Sequence, residues 1–242
     1  MTNENDPDDQ KVTSFPSAGE RRAMEKARMV QHTLAAHQPI FNLPPVVQAL
    51  CLINIGVFLF GTFFPNLMTD ALTYKLAFVP ARYTGTEPLD FSAFYSPVTH
   101  MFLHAGWMHL SVNMGMLLAF GAGIERALGG RKLLLLYFAS GLGGALAQAL
   151  VYPHTEAPMI GASGAISGLF GGVLMLMYAG GMMGQGYKKL LPFIFIWVGI
   201  SVFFGFFGMP GIDNPIAWTT HVGGFVIGMM LYKPLSRMNI RN

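Results

Sequence analysis

From about Pro39 onward the chain is a succession of long apolar blocks separated by shorter polar stretches. A helix that crosses a membrane needs about 20 apolar residues at 1.5 Å rise per residue. Blocks of suitable length are Val46–Phe64, a second from near Met108 to Gly123, Leu133–Val151, a fourth from near Ile160 to Gly180, and Leu190–Phe207. A sixth, about Ala217–Tyr232, is the shortest and reads also as a core helix flush with its neighbours. The stretch from about Asn66 to Thr99 is polar, with Asp70, Lys75, Arg82, Glu87 and Asp90. Ahead of the first block, acids, bases, Gln, Ser and Pro mix with few aromatics; a short helix around Glu20–Gln31 is expected, and a flexible tail otherwise. The expected fold class is an all-α membrane protein, a six-transmembrane-helix bundle. Residues 1–42 form a polar cytoplasmic tail, 43–233 the six-span domain and 234–242 a short cytoplasmic tail.

Composition strengthens this reading. The 242 residues are 52% hydrophobic and only 11% charged, where a soluble domain carries about 25% charged residues. The net charge of +3 is slight and does not suggest nucleic acid. Cys51 is the single cysteine, so no internal disulfide forms. The first forty residues contain no apolar signal-peptide core. The placement of Lys and Arg gives orientation, because cytoplasmic loops hold them in excess. Lys11, Arg21, Arg22, Lys26 and Arg28 of the tail fall on one side, with Arg126, Arg131, Lys132, Lys188, Lys189, Lys233, Arg237 and Arg241. Only Lys75 and Arg82 fall on the other, which predicts N-in, C-in topology and suits a bacterial inner membrane. Spans two, four and six then all begin on the non-cytoplasmic side, with their first turns at similar depth.

Polar side chains near those first turns are few: His109 and Asn113, Ser163 and Ser167, Thr219, Thr220 and His221. Intramembrane polar groups are costly and line a bundle interior or a wet cavity. A serine hydroxyl is a weak nucleophile without a neighbouring base, and His221 at the depth of Ser163 can be that base. Gly164, Gly168 and Gly172 recur every four residues on span four, and Gly224 and Gly228 on the His221 face of span six. Such small-residue stripes let membrane helices approach backbone to backbone. His109 and Asn113 stack at i and i+4 and can both donate to an oxyanion, as can the Ser163 backbone N–H near a helix start.

These residues resemble the rhomboid family of intramembrane serine proteases. The resemblance covers about Val46 to Tyr232. It rests on Gly161-Ala162-Ser163-Gly164, on His221 with Gly224 and Gly228, on His109 with Asn113, and on Glu125-Arg126 with Gly129 after span two. It implies a Ser–His dyad without Asp, with Ser163 the nucleophile, His221 the general base, and His109 and Asn113 flanking the oxyanion. It implies cleavage of transmembrane protein substrates within the lipid bilayer near the non-cytoplasmic surface. Gly161, Gly164, Gly168, Gly224 and Gly228 are expected to serve helix packing. No metal or cofactor is expected.

Three positions depart from the family pattern. Phe94-Tyr95-Ser96-Pro97 replaces the Trp-Arg that some members carry before span two, so that anchor of the loop is missing. Ser167 stands where many have an aromatic residue under the catalytic imidazole; it can bond a carbonyl one turn back or the imidazole, and the back-bonded state is expected. Thr220 stands where many have Ala.

Blander readings are set beside these. His100 and His104 have the i, i+4 spacing of metal ligands, but no Cys and no nearby acid completes a set, so a structural role is favoured. Phe203, Phe204, Phe206 and Phe207 are filler by default, or a lateral gate for a substrate helix. A catalytically silent relative would have lost Ser163 or His221. A transporter predicts pathway charges and an internal repeat, and neither is present. A zinc protease needs His-Glu-x-x-His and an aspartyl protease an intramembrane Asp; both are absent.

Overall fold

The structure, a computed structural model, describes residues 43–86, 88–184, 186–208 and 217–239, together with Ser17, Gly19, Arg22, Met24 and Glu25. Most of the tail, including most of the helix expected around Glu20–Gln31, lies outside the described residues. Eight helices matter here: α1 (Pro45–Phe63), α2 (Asp70–Leu76), α3 (Ser92–Thr99), α4 (Trp107–Leu128), α5 (Gly130–Val151), α6 (Ser163–Ala179), α7 (Leu191–Phe207) and α8 (Trp218–Arg237). Among the described residues there is no strand, only one antiparallel bridge between Phe78 and Met159. The protein is an all-helical, multi-pass integral membrane protein. Helices α1, α4 and α5 and the run Tyr187–Phe207, in which a 3-10 turn precedes α7, are each long and apolar enough to cross a membrane; α6 is apolar but shorter, at 17 residues.

Helix α1 shows how the bundle is tied together. Its first N–H groups have no carbonyl partner within the helix. Pro45 removes one of these donors. The N–H groups of Val46 and Val47 donate to the Glu125 carboxylate at 3.0 and 2.8 Å. Glu125 is held there because α4 ends one turn later at Gly129, which has φ +88° and starts α5 directly. Its neighbour Gly130 must also lack a side chain, since a Cβ would strike Val46. The glutamate and glycine after span two thus form one joint: the acid caps α1, and the glycine turns the chain. Within α4, residues Leu117–Gly121 form a π turn, with one residue more per turn than the α-helix around it.

Helices α5, α6 and α8 form the tightest part of the bundle. A Cβ on Gly224 would run into the carbonyl of Gly164, and one on Gly228 into that of Gly168. Gly171, rather than Gly172, carries the approach further, against the Phe225 carbonyl; Gly172 faces Leu136 and Ile124. Helix α5 adds Gly144, where a Cβ would lie 2.7 Å from the Thr220 carbonyl and 2.8 Å from its methyl. Thr220 is accommodated because Gly144 and Gly164 both leave room for it.

The polar stretch 66–99 is not an open loop. It folds into α2, capped by the Thr69 hydroxyl, a short 3-10 turn at Pro80–Tyr83, and α3. Ala77, Val79 and Ala81 are fully buried. The Tyr83 hydroxyl donates to the Ala93 carbonyl and that of Thr99 to the Leu76 carbonyl, each at 2.7 Å. These bonds hold the segment although the Trp-Arg anchor is missing.

Candidate active site

Ser163 is the first residue of α6, and His221 lies in the first turn of α8. The glycine contacts between these helices bring the two side chains to the same level. The His221 Nε2 lies 2.9 Å from the Ser163 Oγ. For the hydroxyl to donate along that line, the imidazole must be neutral with its proton on Nδ1. Among the described residues Ser163 is the imidazole's hydrogen-bond partner. No carboxylate among the described residues is hydrogen-bonded to the pair.

Gly161 lies outside the helix, so it is not the helix-packing glycine that the sequence suggested. Its φ of +122° suits glycine, and a Cβ there would sit 2.8 Å from the His109 Nε2 and 3.7 Å from the Ser163 Oγ. Glycine at this point keeps open the space between histidine and serine. The Ala105 N–H donates to the His109 Nδ1 at 3.4 Å. With Nδ1 an acceptor, the neutral ring carries its proton on Nε2, on the side of Gly161. The Asn113 amide donates to the His109 carbonyl at 2.8 Å and is only 2% exposed. One N–H is thereby used on its own helix, and the other remains to serve the cavity.

All five residues line one cavity of about 460 Å³, with Tyr152, Phe206 and Trp218 also on its wall. The geometry suits acyl transfer: a nucleophile, a base in contact with it, and donors on the neighbouring helix. Ser167 faces the same side but bonds back to the Ser163 carbonyl at 2.7 Å. Its proton is thereby committed to its own helix rather than to His221.

Sequence reasoning missed the supports around the site. Met159 accepts a hydrogen bond from the Thr220 hydroxyl at 2.9 Å. Thr219 bonds Gln148 of α5, and the Trp218 Nε1–H donates to the Tyr152 hydroxyl at 3.3 Å. The adjacent Gly143 and Gly144 in an apolar helix were the available signal for Thr220's seat. The two other histidines before span two are structural supports here. His100 has its Nδ1 3.0 Å from the Ser96 carbonyl, and its own carbonyl accepts the Gly161 N–H at 2.9 Å. Burial pushes the His100 pKa down to about 4. The His104 ring packs edge-on against His109 at 5.1 Å. Burial, and secondarily the charge of His109, lowers the His104 pKa to about 3.

Comparison with known proteins adds an independent line. The model of the Rhomboid domain family matches residues 92–238, more than half of the chain and all five site residues. RHOMBOID-like protein 5 of Arabidopsis thaliana is 31% identical over 134 residues, 55% of this chain and 41% of the relative. Rhomboid protease GluP of Bacillus subtilis is 33% identical over 131 residues, 54% of this chain and 24% of the relative. Rhomboid-type serine protease 2 of Emericella nidulans is 33% identical over 132 residues, 54% and 25% respectively. The chain therefore spans well under half the length of these relatives.

Proposed function

The chain belongs to the rhomboid family, and we propose from this premise that it is an intramembrane serine endopeptidase acting on transmembrane proteins. The observation that carries the reading is the 2.9 Å contact between Ser163 and His221 at the head of two glycine-packed helices. The Ser163 Oγ attacks the scissile carbonyl carbon while His221 Nε2 takes the hydroxyl proton. The oxyanion receives hydrogen bonds from His109 Nε2–H, the Asn113 amide and the Ser163 backbone N–H. On collapse, His221 gives its proton to the leaving amine. Water then attacks the Ser163 ester with His221 again as base, releasing the acid and restoring the dyad.

For the site to work on a membrane helix, that helix must expose a peptide bond. Substrates with Gly, Ser or Ala near the non-cytoplasmic end of their span unwind most easily there. Replacing those residues by Leu slows cleavage; an unchanged rate would mean that helix opening is not limiting. We further assign α6 and α8 as spans beside the four apolar helices, giving a six-span domain over residues 43–233 with both termini cytoplasmic. The collection of Lys and Arg on one side supports this, in a membrane of the bacterial inner type. Reporter fusions at the C-terminus and in the loop near Thr86 should report opposite sides.

The test of the activity is direct. Purified chain is incubated with a single-span substrate and, separately, with a fluorophosphonate probe. Cleavage and labelling are expected, and both vanish in Ser163→Ala. Cleavage that survives in Ser163→Ala would overturn the assignment.

A further inference from the structure

One buried ionisable group takes no part in the site described above. Arg82 is only 4% exposed, yet among the described residues its guanidinium faces carbonyls rather than an acid. Nη1 donates to the Ala77 carbonyl at 3.0 Å and Nη2 to the Tyr74 carbonyl at 2.7 Å. Its Cζ lies 4.7 Å from the centroid of the Tyr74 ring. The acid nearest in effect, exposed Asp90, has its pKa lowered chiefly by its hydrogen bond with Ser92, with Arg82 only a lesser cause. Withdrawing a cation from water costs several kcal/mol unless hydrogen bonds repay it. A planar fork that holds two carbonyls at once is something lysine cannot reproduce.

We propose that Arg82 is a positioning residue for the dyad, acting through Phe78 and Met159. The segment it grips, 74–82, is not remote from the chemistry. Phe78 N–H donates to the Met159 carbonyl at 3.1 Å, and Met159 N–H returns a bond to the Phe78 carbonyl at 2.8 Å. Ala81 N–H donates to the Thr155 carbonyl at 3.1 Å. Segment 155–161, which leads into Ser163, therefore takes its position from the segment that Arg82 holds. Met159 then passes this on to α8, since its sulfur accepts the Thr220 hydroxyl one residue before His221. The Phe78 ring also packs on His100 at 5.8 Å between centroids, and His100 holds the Gly161 N–H. Both approaches to the dyad, the Gly161 turn and the first turn of α8, thus brace against one buried segment. Arg82 gives that segment its shape.

This inference rests on Ser163 and His221 being the dyad, and the experiment separates the two claims. Full-length Arg82→Lys and Arg82→Gln are purified beside wild type. The fluorophosphonate labelling rate, kcat, KM and melting temperature are measured for each. A displaced reacting group costs rate rather than binding. Both variants are therefore expected to lose about tenfold or more in labelling rate and kcat, with KM within about twofold and Lys retaining more than Gln. Phe78→Leu keeps the cation but removes the ring from His100. It is expected to slow labelling in the same direction at a near-wild-type melting temperature, which covers the case of a Gln variant that does not fold. Wild-type labelling and kcat in folded Arg82→Lys would overturn the proposal. So would a loss confined to KM, or one fully matched by unfolding. A wild-type chain that neither labels nor cleaves would remove the dyad itself, and this inference with it.

Discussion

Helices α6 and α7 have the same length, 17 residues, and both are almost wholly apolar, yet the bundle uses them in opposite ways. Most of α6 from Gly164 to Leu174 is buried, whereas α7 buries only Ser201. Phe195, Phe203, Phe206 and Phe207 of α7 stay exposed. The difference is not one of hydrophobicity. Lipid is as apolar as a phenylalanine side chain, so an apolar surface has no reason to turn inward. What turns α6 inward is the absence of side chains. Gly164, Gly168, Gly171 and Gly172 each meet a neighbouring helix where a Cβ would be, while Gly199 of α7 meets nothing within 4 Å. Ser163, the proposed nucleophile, stands on a helix that meets its neighbours through glycines.

The most severe way to probe that contrast is at the dyad. Ser163→Ala and His221→Ala should each abolish cleavage in folded protein, and the double variant should be no worse, since the two act as one unit. Independent, multiplying losses would mean that the 2.9 Å contact is not the reacting pair. Next comes the neighbouring helix. Asn113→Ala should lower kcat by about 10²–10³, with little change in KM, as expected for one lost oxyanion donor. A loss mainly in KM would reassign Asn113 to substrate binding.

The packing contrast itself is tested with valine. Gly228→Val should destabilise the fold by about 3 kcal/mol, at the upper end for overpacking. Gly199→Val should leave the melting temperature unchanged. Equal effects at both sites would erase the distinction drawn here. Acid acts on the loop side of the bundle. His100 has a folded pKa near 4, below its ordinary 6.5. Between those values the unfolded chain binds more protons, so stability is complete above about pH 6.5 and falls as pH drops toward 4. The loss is on the order of 2–3 kcal/mol, and melting curves of His100→Gln should show a flatter acid limb. The smallest effect is expected at Ser167. Because it bonds back to the Ser163 carbonyl, Ser167→Ala should keep kcat within about tenfold, or 1.4 kcal/mol.

Much of the bundle was legible because a membrane simplifies the code. Helix positions followed from apolar length, and the starts of α1, α5, α7 and α8 fall within about three residues of those expected. Ser163, His221, His109 and Asn113 stood out because polar residues in apolar blocks are rare, and the structure brings all four to one cavity. The back-bonded Ser167 followed from the habits of serine in helices. What was not legible depends on partners far apart in sequence. The 66–99 stretch reads only as a polar segment because its helices are too short to show a period, and it is held by bonds such as that of Thr99 to the Leu76 carbonyl. Gly161 shared its neighbours' composition, so only its backbone angle reveals that it guards the space beside His109 instead of a helix contact. Thr220, where many relatives have Ala, is explained only by the room that Gly144 leaves for it.

The π turn at Leu117–Gly121 gives α4 a property that its length conceals. Because the wide turn absorbs one residue, everything downstream lags by about 100° around the helix axis relative to a continuous α-helix. Above the turn, His109 and Asn113 point into the cavity; below it, Glu125 reaches the head of α1. The extra residue therefore sets the phase between two jobs performed by a single rod. Regularising that turn to α geometry without deleting a residue would keep the helix and its hydrophobicity while swinging Glu125 off the Val46 and Val47 amides. The first helix would then lose its cap with Ser163, His221, His109 and Asn113, the proposed catalytic side chains, still in place.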